Sequence, residues 1–372
     1  MVSLFVCGDI VNQSSTKPFV GESLSRVIRT ADYSVCNFEG PELEEGQTAN
    51  CISQKHGTAA CLKEVGFDLM LLANNHITEL GANGVQYSIN TIKAAGADCL
   101  GAGLSWEDTY RPFIKEIKGV KFGFFNVCEA QVGQYLNPKQ GCGYAWMGYD
   151  SFFDDIKSLA KVVDYVVVFV HAGLEHYHCP LPEIRDFYKR IIDAGASAVI
   201  GGHPHSAQGW EYYNDRVIVY SLGNFFFPIR DKWPLEAYSY SVNITFNHKE
   251  ISLTPIPHYN NGICVDVDNS NAIDFEYLNN LLCDSYDGEI DWIIKDAYKN
   301  QVKTLLVDAL CGQNERDGIK SILRRAIRYT ICRKRMVNMT QKNRELSLLR
   351  LFENETYRWV IIRYLKMNNN HE

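Results

Sequence analysis

The chain of 372 residues contains no apolar run approaching the roughly 18 residues that a membrane-spanning helix needs, so the sequence predicts no transmembrane segment. It shows no leader pattern either. MVSLFVCGD passes straight into an apolar stretch, with no basic opening and no small-residue cleavage site, which predicts a cytoplasmic protein without a signal peptide. The 12 cysteines include no CxxC pair and no regular framework, and Cys7, Cys36 and Cys128 sit inside apolar runs. That pattern predicts reduced, buried thiols rather than a disulfide scaffold or a zinc ribbon. Internal repeats and low-complexity tracts are absent. Positive charge is scarce over most of the chain: residues 1–315 carry 23 Lys and Arg against 39 Asp and Glu. An acidic body without a recognised nucleic-acid motif argues against nucleic acid as a partner. The imbalance reverses between Arg316 and Lys366, where 14 Lys and Arg face 4 Asp and Glu, so the two regions differ in role.

What is present, through about residue 260, is an alternation of strand-like and helix-like segments. The strands are Val2–Cys7, Tyr33–Phe38, Phe67–Ala73, Asp98–Gly101, Lys121–Cys128, Asp164–Val170, Ala196–Ile200 and Val217–Leu222. Tyr240–Phe246 and Glu250–Ile256 read as a hairpin. Helical spacing marks Gly21–Thr30, Thr58–Val65, Gly81–Ala95, Tyr149–Lys161 and Pro182–Ala194. Continuously apolar strands imply a sheet covered on both faces, hence an α/β architecture. Asn260–Asn271, rich in Asn and Asp, reads as a linker. The expected organisation is residues 1–260 as one domain, and 261–372 as a linker and a basic helical region.

The strand ends keep delivering the same residue types. Gly8-Asp9, Asn37-Phe38-Glu39-Gly40, Asn74-Asn75-His76, His171, Gly202-His203-Pro204-His205 and Gly223-Asn224 each follow an apolar strand. In α/β sheets, ligands bind beyond the carboxyl ends of the strands. His203 and His205, two apart on an extended segment, would point the same way toward one metal or two adjacent metals. Taken alone, that pair is equally explained as two polar loop histidines, and each other residue has its own ordinary reading as a cap, a turn former or a half-buried histidine. Together, carboxylate, amide oxygen and imidazole form the donor set of Zn²⁺, Mn²⁺ or Fe.

The ordered series GD, NFEG, ANNH, HAGLE, GGHPH and YSLGNFFF, spread over residues 2–258, resembles the CapA family of bacterial capsule and poly-γ-glutamate synthesis. That family is similar to the calcineurin-like metallophosphatases. The resemblance implies an αββα sandwich with a C-terminal helical extension, and one or two divalent ions (Mn, Fe or Zn). The implied metal ligands are Asp9, Glu39, Asn75, His171, His203 and His205. His76 is the implied catalytic histidine. Asn37, Glu175 and Asn224 fall beside the site, orienting ligands or contacting substrate. Glu175, four residues after His171, would orient it if the segment turned helically, and is otherwise an exposed glutamate. Two departures stand out. Where the metallophosphatases begin with D-x-H, Asp9 is followed by Ile10 and Val11, and Glu39 stands where they carry Asp.

These features imply a metal-dependent hydrolase of a phosphoester or related bond, acting on an anionic small molecule or polymer. The alternative is a non-catalytic accessory protein of capsule or poly-γ-glutamate assembly that binds an anionic polymer; the missing D-x-H histidine favours it. In the basic region, Ile319, Ile322, Leu323, Ala326, Ile327 and Ile331 form a helical apolar stripe beside Arg324, Arg325 and Arg328. Leu346–Leu365, with Phe352, Trp359 and Ile362, forms a second apolar stretch. Such helices either bury their stripes within the protein or lie peripherally on an anionic membrane.

Overall fold

Val2–Ile10 (β1) is buried along almost its whole length, as a strand must be when it is covered from both sides. In the computed structural model of the protein it lies inside the first of two sheets. The order across that sheet is Val265–Val267 (β16), Ile251–Asn260 (β15), Tyr238–Phe246 (β14), β1, Tyr33–Phe38 (β2), Leu69–Leu71 (β3) and Asp98–Leu100 (β4). Asn224–Phe226 (β13) also pairs with β1. Strands β1 to β4 run parallel, and β14 to β16 add an antiparallel flank. The second sheet runs Trp210–Tyr213 (β11), Arg216–Val219 (β12), Ala198–Gly202 (β10), Tyr165–His171 (β9), Val120–Cys128 (β7) and Phe113–Ile117 (β6). Its four inner strands are parallel and its two edges antiparallel. A small ladder joins Ala102–Gly103 (β5) to Gly143–Tyr144 (β8).

The period of two along β1 sets the layers. Leu4 and Val6 enter the core between the sheets, with Phe122, Phe124, Val167, Phe169 and Ile200. Phe5 and Cys7 face the other way, into a core with Leu24 and Ile28 of the helix Glu22–Thr30, Leu62 of Thr58–Val65 and Val85 and Ile92 of Gly81–Ala94. On the far side of the second sheet, Phe125 packs on Phe152 of the helix Phe152–Leu159, which stacks on Phe187 of Pro182–Asp193. Each such side chain contributes about 1.5–3 kcal/mol on full burial. The chain therefore forms the helix–sheet–sheet–helix sandwich that its sequence implies.

Several elements differ in extent from the sequence reading. Phe67–Ala73 contributes only Leu69–Leu71 to the ladder, because the chain already turns at Leu72, whose carbonyl accepts from Asn74 N. Val217–Leu222 is cut short, since β12 ends at Val219, and a separate strand, β13, starts beyond it at Asn224. The stretch read as a linker, Asn260–Asn271, carries the edge strand β16. The structure describes residues 1–13, 19–131, 133, 141–248, 250–283, 285–303, 305–306 and 348–369. The stripe from Ile319 to Ile331 and its neighbouring arginines lie outside the described residues. The chain divides into two compact units, Met1–Glu289 and Ile290–Glu372. Within the second, Leu351 and Val360 are buried, Phe352 and Ile362 are exposed, and Tyr298 stacks on Tyr364 at 3.7 Å. Among the described residues, no helix is long and apolar enough to cross a membrane.

Candidate metal centre

Parallel strands end on a common edge, and this edge gathers the residues singled out above. Asp9 lies near the end of β1, Asn37 near the end of β2 with Glu39 just beyond, and Asn75 and His76 follow β3. From the second sheet, His171 ends β9, and His203 and His205 follow β10. Two hydrogen bonds tie Asp9 into this edge. Asp9 N donates to Gly223 O at 3.0 Å, and His203 N donates to Asp9 Oδ2 at 3.2 Å. The approach is close enough to require glycine: a Cβ on Gly8 would lie 1.9 Å from Gly223 O.

The side chains converge in two adjoining groups. In the first, oxygens of Asp9 and Glu39 and a ring nitrogen of His205 lie within 4.8 Å of one another, all three residues buried. In the second, His171 Nε2 lies 3.1 Å from Asn75 Oδ1 and 3.2 Å from His203 Nδ1. Donors bound at about 2.0–2.2 Å to one ion stand roughly 3 Å apart, so these separations suit a shared cation. Asn37 Nδ2 donates to Asp9 Oδ1 at 2.7 Å and lies 3.2 Å from His171 Nδ1, joining the groups. Asn224 Oδ1 is 2.9 Å from His205 Nδ1, which in turn is 3.6 Å from Asp9 Oδ2. His76 stands at the rim, its Nδ1 hydrogen-bonded to Glu79 and its Nε2 3.8 Å from Glu39 Oε1.

Burial sets the charges. It pushes Asp9 up to about 7, against the hydrogen bond from Asn37. Glu39 is held well above the usual carboxylate range by burial and then by the Asp9 charge. Both Glu39 oxygens are buried without a hydrogen-bond partner. Burial pushes His203 down to about 4, His205 down to about 3 and His171 well below the ordinary imidazole value. Neutral imidazoles beside carboxyls that lack a counter-charge are the donor set a divalent cation satisfies.

Two local expectations change. His203 and His205 are not on an extended segment: their φ angles are +95° and +60°, in a left-handed region that non-glycine residues rarely occupy. The chain therefore bends at each histidine. His203 turns to His171, while His205 turns to Asp9 and Asn224, and the two rings stand 5.9 Å apart. Glu175 follows a turn at Gly173, not a helix. Its Oε1 lies 3.9 Å from His203 Nε2, and its Oε2 lies 3.3 Å from His176 Nε2.

Residues the sequence reading passed over complete the surroundings. Buried Glu129 directly follows β7, its Oε1 accepting from Gly173 N at 3.3 Å and from the Gln131 amide and lying 3.9 Å from His203 Nε2. Gln131 Nε2 lies 2.7 Å from His203 Nε2. The signal was the strand end itself, since Glu129 follows Val127-Cys128 as Asp9 follows Cys7-Gly8. His176 stacks on Trp233 at 4.2 Å, and its Nδ1 is 2.5 Å from Glu236 Oε1; nothing in the local sequence links those three.

Residues 3–228 match the family model described as "Bacterial capsule synthesis protein PGA_cap". The chain is 34% identical over 230 residues to the capsule biosynthesis protein CapA of Bacillus anthracis, covering 59% of this chain and 56% of that one. It is 28% identical over 207 residues to the PGA biosynthesis protein CapA of Bacillus subtilis, covering 54% of each. It thus spans little more than half the length of these relatives. Among solved structures, it is similar to a putative 5'-nucleotidase from Staphylococcus aureus, at 15% identity and a TM-score of 0.44, covering 75% of this chain and 57% of that one. With the family model spanning well over half its length, the chain belongs to the bacterial capsule synthesis protein PGA_cap family.

Proposed function

We propose that the protein is a metal-dependent hydrolase of a phosphoester or related bond, working on an anionic substrate in capsule or poly-γ-glutamate synthesis. The observation that carries this reading is Glu39: a fully buried carboxyl without a hydrogen-bond partner, beside Asp9 and His205. Asp9, Glu39 and His205 would hold one divalent ion, and Asn75, His171 and His203 a second. A divalent ion bound there supplies Lewis acidity to a phosphoryl oxygen and lowers the pKa of water toward about 7. The remaining work falls to the chain. Asn37, bonded to Asp9 and close to His171, fixes both groups. Glu129 and Gln131 steady His203 from its far side, and Asn224 steadies His205. His76 Nε2, with Nδ1 committed to Glu79, is the proton donor to the leaving oxygen.

A second reading, a non-catalytic accessory protein that binds anionic polymer, is favoured by Val11. Buried and apolar, it stands where the metallophosphatases carry the histidine of D-x-H. Metal content per chain, read with hydrolysis of a panel of phosphoesters, separates the two. His203→Ala is expected to lower metal content. His76→Ala is expected to lower turnover with metal retained, and equal metal loss in both variants refutes the role of His76. For the basic stretch 316–366 we propose peripheral contact with anionic lipid, each Lys or Arg contributing about 1 kcal/mol. Salt-sensitive sedimentation with anionic vesicles that survives truncation after Asn314 refutes it.

A further inference from the structure

The rim of the site carries a guanidinium that rests on an aromatic ring. Beyond β13, the His205 ring lies 4.7 Å from the Phe227 ring, and the Arg230 guanidinium lies 5.1 Å from that same ring. The guanidinium thus stands no farther from His205 than these two separations laid end to end. Arg230 is half-buried, yet among the described residues it forms no salt bridge and its guanidinium donates no hydrogen bond. It shares a small cavity with Asn224, Trp233 and Glu236. The carboxylate there is already engaged, since Glu236 holds His176 and His176 stacks on Trp233. Asn224, which lines the cavity, touches His205 directly.

We propose that Arg230 is the oxyanion-binding residue of this site, presenting its guanidinium to a carboxylate or phosphoryl group of the substrate. This rests on the metal-site reading above and adds the residue that selects what reaches the metal. An anion approaching this centre meets Asp9, Glu39, Glu129 and Glu175 on a body that is acidic throughout, so it needs a cation on the way in. A planar guanidinium with five N–H donors matches an oxyanion in two-point geometry, which a lysine cannot reproduce. The Phe227 ring holds the plane of the fork by a cation–π contact. A phosphoester and a polymer of carboxylates both offer such an oxyanion.

The test is calorimetric titration of the full chain with inorganic phosphate and, separately, with a short glutamate oligomer. Metal content per chain is measured alongside, and both titrations are repeated after chelation. In Arg230→Gln, affinity for at least one probe is expected to fall about tenfold with metal content unchanged. Arg230→Lys should fall between the two, and the probe that loses affinity identifies the phosphoryl or the carboxylate source. Unchanged affinities in Arg230→Gln overturn the proposal while leaving the metal reading standing, and no binding of either probe by the wild-type chain overturns it also. Arg230-dependent binding by a chain that purifies without metal and takes up none when Mn²⁺ is supplied supports the proposal and refutes the metal reading.

Discussion

Glu39→Gln should stabilise the metal-free protein while abolishing its response to metal. The carboxyl is fully buried, neither oxygen has a hydrogen-bond partner, and after burial the Asp9 charge does most to disfavour its ionised form. A buried polar group left unpaired costs about 1–3 kcal/mol, more when charged. The amide is nearly isosteric, so the change opens no cavity, and it cannot ionise, so it escapes the burial and the Asp9 charge that penalise the Glu39 carboxylate. The metal-free variant should therefore gain about 2 kcal/mol, or about 4 °C in Tm for a unit of this size. The wild type should gain about 2.7 kcal/mol from a divalent ion at 100 times its Kd, because an ion that binds only the folded chain stabilises by mass action. In the variant that increment should vanish. Thermal unfolding of both proteins, in chelator and in Mn²⁺, gives four values, and the two proteins should exchange rank between conditions. A variant that melts lower than wild type in chelator, yet keeps the full metal-induced rise, would refute Glu39 as both an unpaired buried charge and a ligand.

Gly8→Ala should cost about 3 kcal/mol or more, since the added methyl would meet the Gly223 carbonyl at 1.9 Å in a backbone that cannot yield; chemical denaturation reads it, and a cost below about 1 kcal/mol would contradict the close approach. His258, buried in β15 with its ring edge-on to Phe225 at 5.0 Å, is pushed down to about 3 by burial. Its folded state stays neutral where the unfolded chain takes up a proton. Its contribution to stability is therefore present above about pH 6.5 and is lost as pH falls toward 3, by about 1.4 kcal/mol per pH unit. His258→Asn should flatten the acid limb of the stability profile by one proton, and an unchanged slope would show that His258 charges freely in the fold.

Much of the centre was legible in sequence because parallel strands impose one geometric rule. Their carboxyl ends share an edge, so Asp9, Asn37, Asn75, His171 and His203 could be grouped without knowing the order of the strands. The rule says which edge a residue occupies, not which way its side chain turns. The positive φ values at His203 and His205 arise from the meeting of two sheets at Asp9, a contact between residues nearly two hundred positions apart. Local pattern therefore suggested an extended pair where the chain is bent. The edge strand β6 was missed for a different reason. Phe113–Ile117 alternates partly buried and exposed residues, and Lys118-Gly119, both at positive φ, make the tight turn into β7. A search for continuous apolar runs passes over such half-exposed strands, although an alternating run ending in Lys-Gly is itself a hairpin signal. Arg230, Trp233 and Glu236 were beyond reach because their chemistry exists only once the segment after β13 folds back over His176 and His205. The strand-end pattern thus groups the residues proposed here to hold metal, while those proposed to meet the substrate sit on a returning loop, where only tertiary contact assigns them a neighbour.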